Sequence, residues 1–377
     1  MTRRGLVLGG GGVLGAAWMV GALTALEDHL GIDARSFDHL VGTSAGSVVS
    51  TLLAAGVSVA ELRSHQLEGS VDHGRLAGFH WDYEEVSGGD RPHPPRPGFG
   101  SPVLLRKGVR ELRMLPPMAV LAALLPEGRG RLDSVGALVR HVVGDGWVER
   151  EGLTLVALDY DAGVRVPFGR VEAPVVAAAD AVMASCAIPG WYQPVTVGAH
   201  RYIDGGTWSS TNIDLMVGLG LDEIYVLAPQ ASFDLDAPKD LVTRLERQWR
   251  ARVTAKALRE LGVVHAEGTD VTIIGPGRED LEAIGGNLMD VGRRPRVFET
   301  SLRTSLAALL HPGPAPGAPD LSELGGGAEL REVERAEDEV AEGVEREADT
   351  EADTEADTEA DTEADTEADT WTGTGRG

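Results

Sequence analysis

The sequence predicts a three-layer α/β fold in which helices flank a mainly parallel central sheet. Along the first 274 residues, short apolar runs typical of strands alternate with helical segments of ten or more residues. This alternation favours parallel strands joined by crossover helices that cover both faces of the sheet. Hydrophobic residues make up 42% of the 377-residue chain, which is enough to bury a large core and excludes a wholly disordered protein.

The first two strand–turn–helix units give the clearest signals. A strand is expected at residues 5–8, followed by four glycines and a helix over residues 15–30 that is rich in small side chains. A second strand at residues 37–41 leads through a glycine-flanked serine into an apolar helix at residues 47–55. Each glycine-containing turn therefore joins a strand directly to a helix.

The alternation resumes at residue 153 and continues to residue 274. We predict strands at residues 153–158, 163–167, 194–203, 223–228 and 270–274, and helices at residues 175–186, 212–219 and 238–261. These elements complete the sheet and its covering helices.

An insertion separates the two parts of the fold. Residues 70–130 are rich in Gly and Pro and contain the apolar run 114–125. Long insertions between core elements are often functional, so we interpret this one either as a lid over an active site or as an ordinary surface excursion. If the substrate lies in a membrane, the apolar run is the expected contact.

The acidic residues are concentrated at the C-terminus. Residues 347–370 are six copies of Glu-Ala-Asp-Thr, and the net charge is −17 from residue 321 onward but only −8 before it. A repeat with an acid at every second position has nothing to bury, so we predict a disordered acidic tail over residues 313–377. A single α/β domain then covers residues 1–312, and its charge argues against a nucleic-acid-binding body.

Cysteine usage and hydropathy bear on compartment and cofactors. The single cysteine, Cys186, excludes an intramolecular disulfide and a cysteine metal cluster, and we assign it to core packing. No His or Asp pattern indicates a metal site. Apolar runs stay shorter than the ~18 residues that a membrane span needs. We therefore expect a cytoplasmic protein without metal or cofactor, at most peripheral at a membrane.

The first motif with chemical content is the run GGGGVLG at residues 9–15. Consecutive glycines allow a tight turn with outward N–H groups, and the following helix N-terminus adds partial positive charge. The turn is therefore an anion site, suited to a phosphate or to a developing oxyanion. Gly10, Gly12 and Gly15 also fit the dinucleotide pattern G-x-G-x-x-G, and Asp33 stands at the spacing of a ribose ligand.

The second motif is GTSAG at residues 42–46, again between a strand and a helix. In a nucleophile elbow, flanking glycines such as Gly42 and Gly46 let neighbouring backbone approach, and the serine projects from a strained turn. The helix dipole there favours negative charge on the serine oxygen. Ser44 is therefore a candidate nucleophile, with simple helix capping as the alternative.

The third motif is Asp204-Gly205-Gly206, at the end of a predicted strand. In isolation, an aspartate followed by two glycines is typical of a plain turn. A serine nucleophile needs a base, however, and Gly205 and Gly206 would let the carboxylate approach another backbone closely. Asp204 is therefore the candidate base.

Taken in order, these motifs resemble those of the patatin-like phospholipases. The series GGGG-x-x-G, GTSAG about thirty residues later and then DGG is similar to the pattern of that family. The block ASCAIPG at residues 184–190, followed by QPV at residues 193–195, is similar to the block that precedes the family's DGG. The resemblance extends from about residue 5 to about residue 310, is weakest over residues 70–150, and leaves out the tail.

The resemblance implies a patatin-like fold and a serine lipid acyl hydrolase with a Ser–Asp dyad. Ser44 would be the nucleophile and Asp204 the proton acceptor in hydrolysis of a phospholipid or another lipid ester through an acyl-serine. The N–H groups of Gly10, Gly11 and Gly12 would form the oxyanion hole. An aspartate with a pKa near ~3.9 is a weak base, so we expect burial beside the serine to raise the Asp204 pKa.

Three alternatives stay open at the level of sequence. A Ser44–Asp204–His265 triad would make the chain an α/β-hydrolase esterase, although the elbow comes early for that order. A dinucleotide-binding oxidoreductase would use the glycine loop and Asp33 but leave the serine motif unexplained. An inactive member of the fold could serve for binding through the acidic tail. Leu14 supports this last alternative, because the family's loop usually has Arg or Lys there.

Overall fold

The computed structural model describes residues 2–81, 100–104, 117–233 and 241–311. The strands in these ranges are β1 (Arg4–Leu8), β2 (His39–Thr43), β3 (Leu153–Asp159), β4 (Arg165–Phe168), β5 (Val195–Val197), β6 (His200–Asp204), β7 (Glu223–Leu227) and β8 (Asp270–Ile274). The α-helices are α1 (Gly12–Leu30), α2 (Ala45–Ala54), α3 (Val59–Glu68), α4 (Pro117–Leu124), α5 (Asp133–Val143), α6 (Ala178–Ser185), α7 (Leu241–His265), α8 (Arg278–Ile284) and α9 (Arg294–Leu310).

All eight strands belong to one sheet. Its order is β5-β6-β3-β2-β1-β7-β8, and β4 pairs with β3. The pairs formed by β3, β2, β1, β7 and β8 are parallel. The pairs β3–β4, β3–β6 and β5–β6 are antiparallel. The predicted mainly parallel sheet is therefore confirmed, with its antiparallel part confined to one end.

Two strands share one edge of β3. Val156 pairs with both β2 and β4, and Ala157 pairs with both β4 and β6. Because a strand has two edges, β2 and β6 lie on the same edge of β3, and the carboxyl ends of β2 and β6 meet there. Thr43 is opposite Val156, and Asp204 is opposite Ala157. The residue that follows Thr43 therefore meets Asp204 at the point where the two strands abut.

Helices cover both faces of the sheet, as the three-layer prediction requires. On β1, Leu6 and Leu8 contribute to one hydrophobic core while Val7 contributes to the other, as expected for side chains that alternate along a strand. The first core is closed mainly by α1, α2, α3, α5, α6 and α9. The second core is closed by α7 and by the short turn Ile213–Met216.

Two segments differ from the sequence-based expectation. Residues 194–203 form two strands instead of one, because Gly198 adopts φ 61° in the turn between β5 and β6. Residues 212–219, expected to be helical, contain only the 3₁₀ turn Ile213–Met216. The left-handed backbone of Asn212 precedes that turn, and the extended backbone of Val217 ends it.

Parts of the predicted organisation lie outside the described residues. These are the acidic tail at residues 313–377 and, within the insertion, residues 82–99 and 105–116. The lid interpretation and the domain boundary at residue 312 therefore stay predictions. In the ranges that are described, no helix combines the length and the apolar character needed to cross a bilayer.

Candidate active site

Ser44 occupies the sharp turn between β2 and α2. Its backbone has φ 52° and ψ −121°, a conformation that costs a residue with a side chain roughly 1–3 kcal/mol. The backbone on either side of Ser44 packs tightly against its neighbours. A Cβ atom at Gly46 would overlap the carbonyl oxygen of Leu8 at the end of β1. A Cβ atom at Gly42 would overlap the hydroxyl of Ser50 on α2. The two flanking glycines are therefore required sterically, as the sequence motif predicts.

A buried hydrogen-bond chain holds the backbone of Ser44. Its N–H donates to Oγ of Ser185 at 2.9 Å, and the Ser185 hydroxyl donates to the carbonyl of Val156 at 2.6 Å. Ser185 is the last residue of α6, so this chain ties the elbow to a helix and to β3. In the sequence, Ser185 belongs to the ASCAIPG block at residues 184–190, but nothing there predicts its role in holding Ser44.

Asp204 lies at the end of β6, where β6 meets the end of β2. Its side chain is almost completely buried, with 5% of the residue exposed. The Gly206 N–H donates to Oδ1 at 2.7 Å, and the Thr207 hydroxyl donates to the Asp204 carbonyl at 2.6 Å. A Cβ atom at Gly205 would overlap the carbonyl oxygen of Val156. The glycine after Asp204 thus allows the close backbone approach that the DGG motif predicts.

The environment of Asp204 makes it a stronger base than an ordinary aspartate. Burial raises the pKa of Asp204 to about 6, and hydrogen bonds from the Ser44 hydroxyl and the Gly206 N–H oppose that rise only in part. The carboxylate is therefore ionised at neutral pH and has the Ser44 hydroxyl as a hydrogen-bond partner. The expected burial of Asp204 beside Ser44 is observed.

The glycine loop differs from expectation at one position. The Gly10 N–H donates to the carbonyl of Ser210 at 2.8 Å, so it is already bonded and does not point into the site. The expected role of Gly10 as an oxyanion donor therefore needs correction. Helix α1 starts at Gly12, and Gly11 supplies no side-chain cap. Within the described residues, the N–H groups of Gly11 and Gly12 have no acceptor.

Two other loop residues clarify the geometry near Ser44. A Cβ atom at Gly10 would lie 3.4 Å from Cβ of Ser44, so the loop runs directly beside the elbow. Leu14 is fully buried in the first core, and its N–H donates to the Leu288 carbonyl at 2.9 Å. The position at which the family usually carries a cation therefore holds a packed apolar side chain.

An apolar pocket opens beside Ser44. Its empty volume, which includes space open to solvent, is about 870 Å³, and its lining is mostly apolar, as is usual for ligand sites. Helices α1, α2, α3 and α5 form most of its wall, with side chains such as Val48, Leu62 and Leu138. Cys186 also lines it, and burial raises the pKa of this thiol to about 12, which keeps it protonated and unreactive.

The residues required by the alternative functions lie elsewhere. His265 ends α7 five positions before β8 begins at Asp270, so it lies near the amino ends of the parallel strands, opposite the edge that carries Ser44. Asp33 precedes β2 and accepts a hydrogen bond from the Arg35 N–H at 2.8 Å as the cap of a short turn. The structure therefore does not assemble the His265 triad or place Asp33 at the glycine loop.

Metal binding finds no support among these residues either. The described ranges contain no group of three or more His, Cys, Asp or Glu side chains that could hold a metal ion. The site consists of a serine, a carboxylate, backbone N–H groups and an apolar pocket. Such a set can carry out acyl transfer at a serine oxygen.

Comparison with known proteins gives one family and several distant structures. The family model described as "Patatin-like phospholipase" matches residues 6–217. VipD from Legionella pneumophila is similar at 15% identity with a TM-score of 0.39, covering 82% of this chain and 67% of that chain. Human GIVD cytosolic phospholipase A2 is similar at 13% identity with a TM-score of 0.34, covering 82% of this chain and 59% of that chain.

A third structure shows the same degree of likeness. The type III effector protein ExoU is 17% identical with a TM-score of 0.33, and the match covers 82% of this chain and 53% of that chain. The matched region thus spans between about half and two-thirds of the length of these three structures. No curated protein matches the chain.

Proposed function

We propose, from the premise that the chain belongs to the patatin-like phospholipase family, that it hydrolyses lipid esters with Ser44 as nucleophile and Asp204 as proton acceptor. The observation that carries this proposal is the position of Ser44 and the buried Asp204, which meet at one point on the edge of β3. The apolar pocket beside Ser44 supports a substrate with a hydrocarbon chain.

In the first step, the Ser44 oxygen attacks the carbonyl carbon of the ester while its proton passes to a carboxylate oxygen of Asp204. The carbonyl electron pair moves onto the oxygen and gives a tetrahedral oxyanion. When this intermediate collapses, the bond from carbon to the alcohol oxygen breaks, and that oxygen takes the proton from Asp204. The product is an acyl-Ser44 ester and a free alcohol.

In the second step, water replaces the alcohol. A water molecule attacks the acyl carbon while its proton passes to Asp204, and the second oxyanion collapses to release the fatty acid. The Ser44 oxygen recovers its proton from Asp204 in this collapse. A carboxylate with a pKa of about 6 suits both directions of proton transfer, because it lies nearer to neutral pH than an ordinary aspartate.

The oxyanion donors in this proposal are the N–H groups of Gly11 and Gly12. Both are unpaired among the described residues, and they lie at the N-terminus of α1, whose dipole favours negative charge. One well-placed donor contributes roughly 3–4 kcal/mol to lowering the barrier. Since Asp204 is still a modest base, these donors carry a large share of the catalysis.

The substrate class follows from the pocket and from the surface beside it. We propose a phospholipid or another lipid ester whose acyl chain fills the pocket, at about 0.8 kcal/mol for each buried methylene group. Ile188 lines the pocket, and a Cβ atom at nearby Gly190 would lie 3.6 Å from Leu125. Leu125 thus lies close to the chain that follows the pocket residue Ile188. The exposed side chains of Leu121, Leu124 and Leu125 are here called the α4 patch.

The α4 patch is our proposed point of peripheral membrane contact. Leu121 is 44% exposed and Leu124 is 43% exposed, which is a high fraction for neighbouring leucines on one helix. Both belong to the apolar run 114–125, whose residues 114–116 lie outside the described ranges.

The proposed nucleophile is tested by Ser44→Ala, with Ser305→Ala as a matched control. Ser305 is also a buried serine, but it lies on α9 away from the pocket. We expect Ser44→Ala to lose hydrolysis across a panel of acyl esters and lipids and to lose labelling by a fluorophosphonate. The control variant should retain both. Hydrolysis of any ester by Ser44→Ala at the wild-type rate would refute the proposal.

A further inference from the structure

The segment that follows Asp204 crosses the carboxyl ends of two central strands. This crossing segment, residues 209–213, contacts the glycine loop, because the Ser210 carbonyl accepts the Gly10 N–H at 2.8 Å. It also contacts the end of β2, because Nδ2 of Asn212 donates to Oγ1 of Thr43 at 3.0 Å. One stretch of five residues thus touches both structures that flank the candidate nucleophile.

Asn212 is held in an unusual and fully buried conformation. Its φ of 55° lies in the left-handed region, which Asn tolerates better than most residues with a side chain. Its side chain is fully buried and uses both ends of the amide. Nδ2 donates to Thr43 and to the Ser209 carbonyl, and Oδ1 accepts from Arg165 at 3.1 Å.

A buried carboxylate fixes the crossing segment from the other side. Oε2 of Glu260 accepts from the Thr211 hydroxyl at 2.7 Å and from the Ile213 N–H at 3.0 Å. Glu260 is on α7, so the segment is anchored to the helix that covers the second core. Burial raises the pKa of Glu260, and Lys256 at 3.9 Å opposes that rise. The residues on both sides of Asn212, Thr211 and Ile213, are therefore anchored to the same carboxylate.

We infer that Asn212 is a positioning residue, which fixes Ser44 relative to Asp204 through its hydrogen bond to Thr43. The inference rests on the proposed function, in which Ser44 attacks and Asp204 accepts the proton. Thr43 immediately precedes Ser44, and Asn212 belongs to the segment that continues from Asp204. The Asn212–Thr43 hydrogen bond therefore joins the two reacting residues by a path separate from β3.

The role predicts a specific kinetic effect. Neither Asn212 nor Thr43 lines the pocket, so loss of their hydrogen bond leaves the substrate contacts in place. The geometry between Ser44 and Asp204 would loosen, however, and a misplacement of about 1 Å can cost about 100-fold in rate. Substitution should therefore lower kcat and leave KM nearly unchanged.

The experiment removes the hydrogen bond from each side. Asn212→Gly keeps the left-handed backbone accessible and deletes the amide, whereas Thr43→Val deletes only the acceptor oxygen. Thr43→Ser removes the methyl group but keeps that oxygen. With a soluble short-chain ester and active sites counted by fluorophosphonate, we expect kcat to fall about tenfold or more in Asn212→Gly and Thr43→Val. Thr43→Ser should stay within about twofold of wild type.

A remote variant controls for general damage. Thr154→Val also deletes a buried threonine hydroxyl with a side-chain partner, since Thr154 accepts from Arg170 at 3.0 Å. It lies near the start of β3, away from Ser44. We expect it to lower the unfolding temperature without changing kcat per active site. Because Thr43→Val tests the same bond as Asn212→Gly, failure of one variant to fold leaves the other informative.

The outcomes separate this inference from the proposed function. Equal kcat per active site in wild type, Asn212→Gly and Thr43→Val would overturn the positioning role, provided that Ser44→Ala is inactive. A loss in Thr43→Ser as large as that in Thr43→Val would also overturn it, because the methyl group would then explain the effect. Persistent hydrolysis by Ser44→Ala would overturn the proposed nucleophile, and this inference with it.

Discussion

Asp204 meets two opposing physical demands at a single residue. Its burial makes the ionised form unfavourable, yet proton transfer from Ser44 requires that form. Two hydrogen bonds, from the Ser44 hydroxyl and from the Gly206 N–H, stabilise the ionised carboxylate and so limit the rise of its pKa. The pKa of about 6 is the balance between burial and these bonds. Activity and stability should therefore respond to pH in opposite directions.

The first consequence is a pH-dependent rate. Protonated Asp204 cannot accept a proton, so kcat/KM for a soluble ester should fall about tenfold per pH unit below about 6 and level off above it. The measurement is a pH–rate profile between pH 4.5 and pH 8, with circular dichroism as a control that the protein stays folded. A flat profile between about pH 5 and pH 7 would contradict the assignment of Asp204 as the base.

The second consequence concerns stability. The Asp204 pKa rises from 3.8 in the unfolded chain to about 6 in the fold, so the folded protein binds more protons in that window and loses stability as pH rises through it. The shift corresponds to about 3 kcal/mol. We expect Asp204→Asn to be inactive but more stable than wild type at pH 8, by up to about 3 kcal/mol in denaturant unfolding. The difference should shrink toward pH 4, and a constant difference would refute the explanation.

The site residues divide by the kind of signal they leave in the sequence. Ser44, Asp204 and the glycines are visible because tight backbone geometry allows few residue types at each position. Ser185 and Asn212 are not visible, because their roles depend on partners 141 and 169 positions away along the chain. The sequence also predicts the wrong role for the Gly10 N–H, for the same reason. Its acceptor, Ser210, is distant in sequence and close only in the fold.

At the level of elements, strands were predicted better than helices. Buried parallel strands are short apolar runs, and each of the five parallel strands lies within about two residues of its predicted bounds. The sequence pattern predicts no helix at α3, α4, α5, α8 or α9. On α9, the face that packs against α1 includes the buried serines Ser301 and Ser305. Its helical hydrophobic pattern is therefore too weak to predict the helix. On α5 the period is present in Val135, Leu138 and Val142.

The α4 patch gives a prediction at the same level. Replacing Leu121 and Leu124 by Glu places charge on the proposed membrane contact, so activity on phospholipid vesicles should fall at least tenfold. Activity on a soluble short-chain ester should stay within about twofold. Val263→Glu is the matched control. Val263 is 54% exposed but lies near the C-terminal end of α7, close to the amino ends of the parallel strands. Equal losses on both substrates would show that the patch has a structural role instead.

At the level of the whole molecule, the net charge of −25 is mostly a property of the tail. The last 57 residues carry −17 of it, and the body that contains the site carries about −8. The last described helix, α9, ends at Leu310 and packs along α1 through buried contacts such as the Ser301 hydroxyl with the Trp18 carbonyl at 2.7 Å. The body thus has a closing element before the acidic repeat begins.

Truncation tests this division. Removal of residues 313–377 should leave kcat and the unfolding temperature within experimental error of wild type, because Ser44, Asp204 and the described pocket lining lie at or before Met289 and α9 ends at Leu310. Truncation after residue 300 is the contrasting variant, since it removes the part of α9 that buries Ser301, Ser305 and Leu309. We expect that protein to unfold. Loss of activity in the protein that retains residues 1–312 would show that the tail contributes to catalysis or to stability.

The shared edge of β3 also makes the spacing of Ser44 and Asp204 a discrete quantity. A one-residue slip of β6 would turn Asp204 to the other face of the sheet, and a two-residue slip would carry it about 7 Å along the edge. Intermediate registers are not accessible to a paired strand, so only small adjustments within one register, such as those set by the Asn212–Thr43 hydrogen bond, remain. Loops between β2 and β6 can therefore lengthen, shorten or be exchanged while the reacting pair keeps its distance. This fold is accordingly a scaffold in which substrate-facing loops can diverge without any retuning of the catalytic pair.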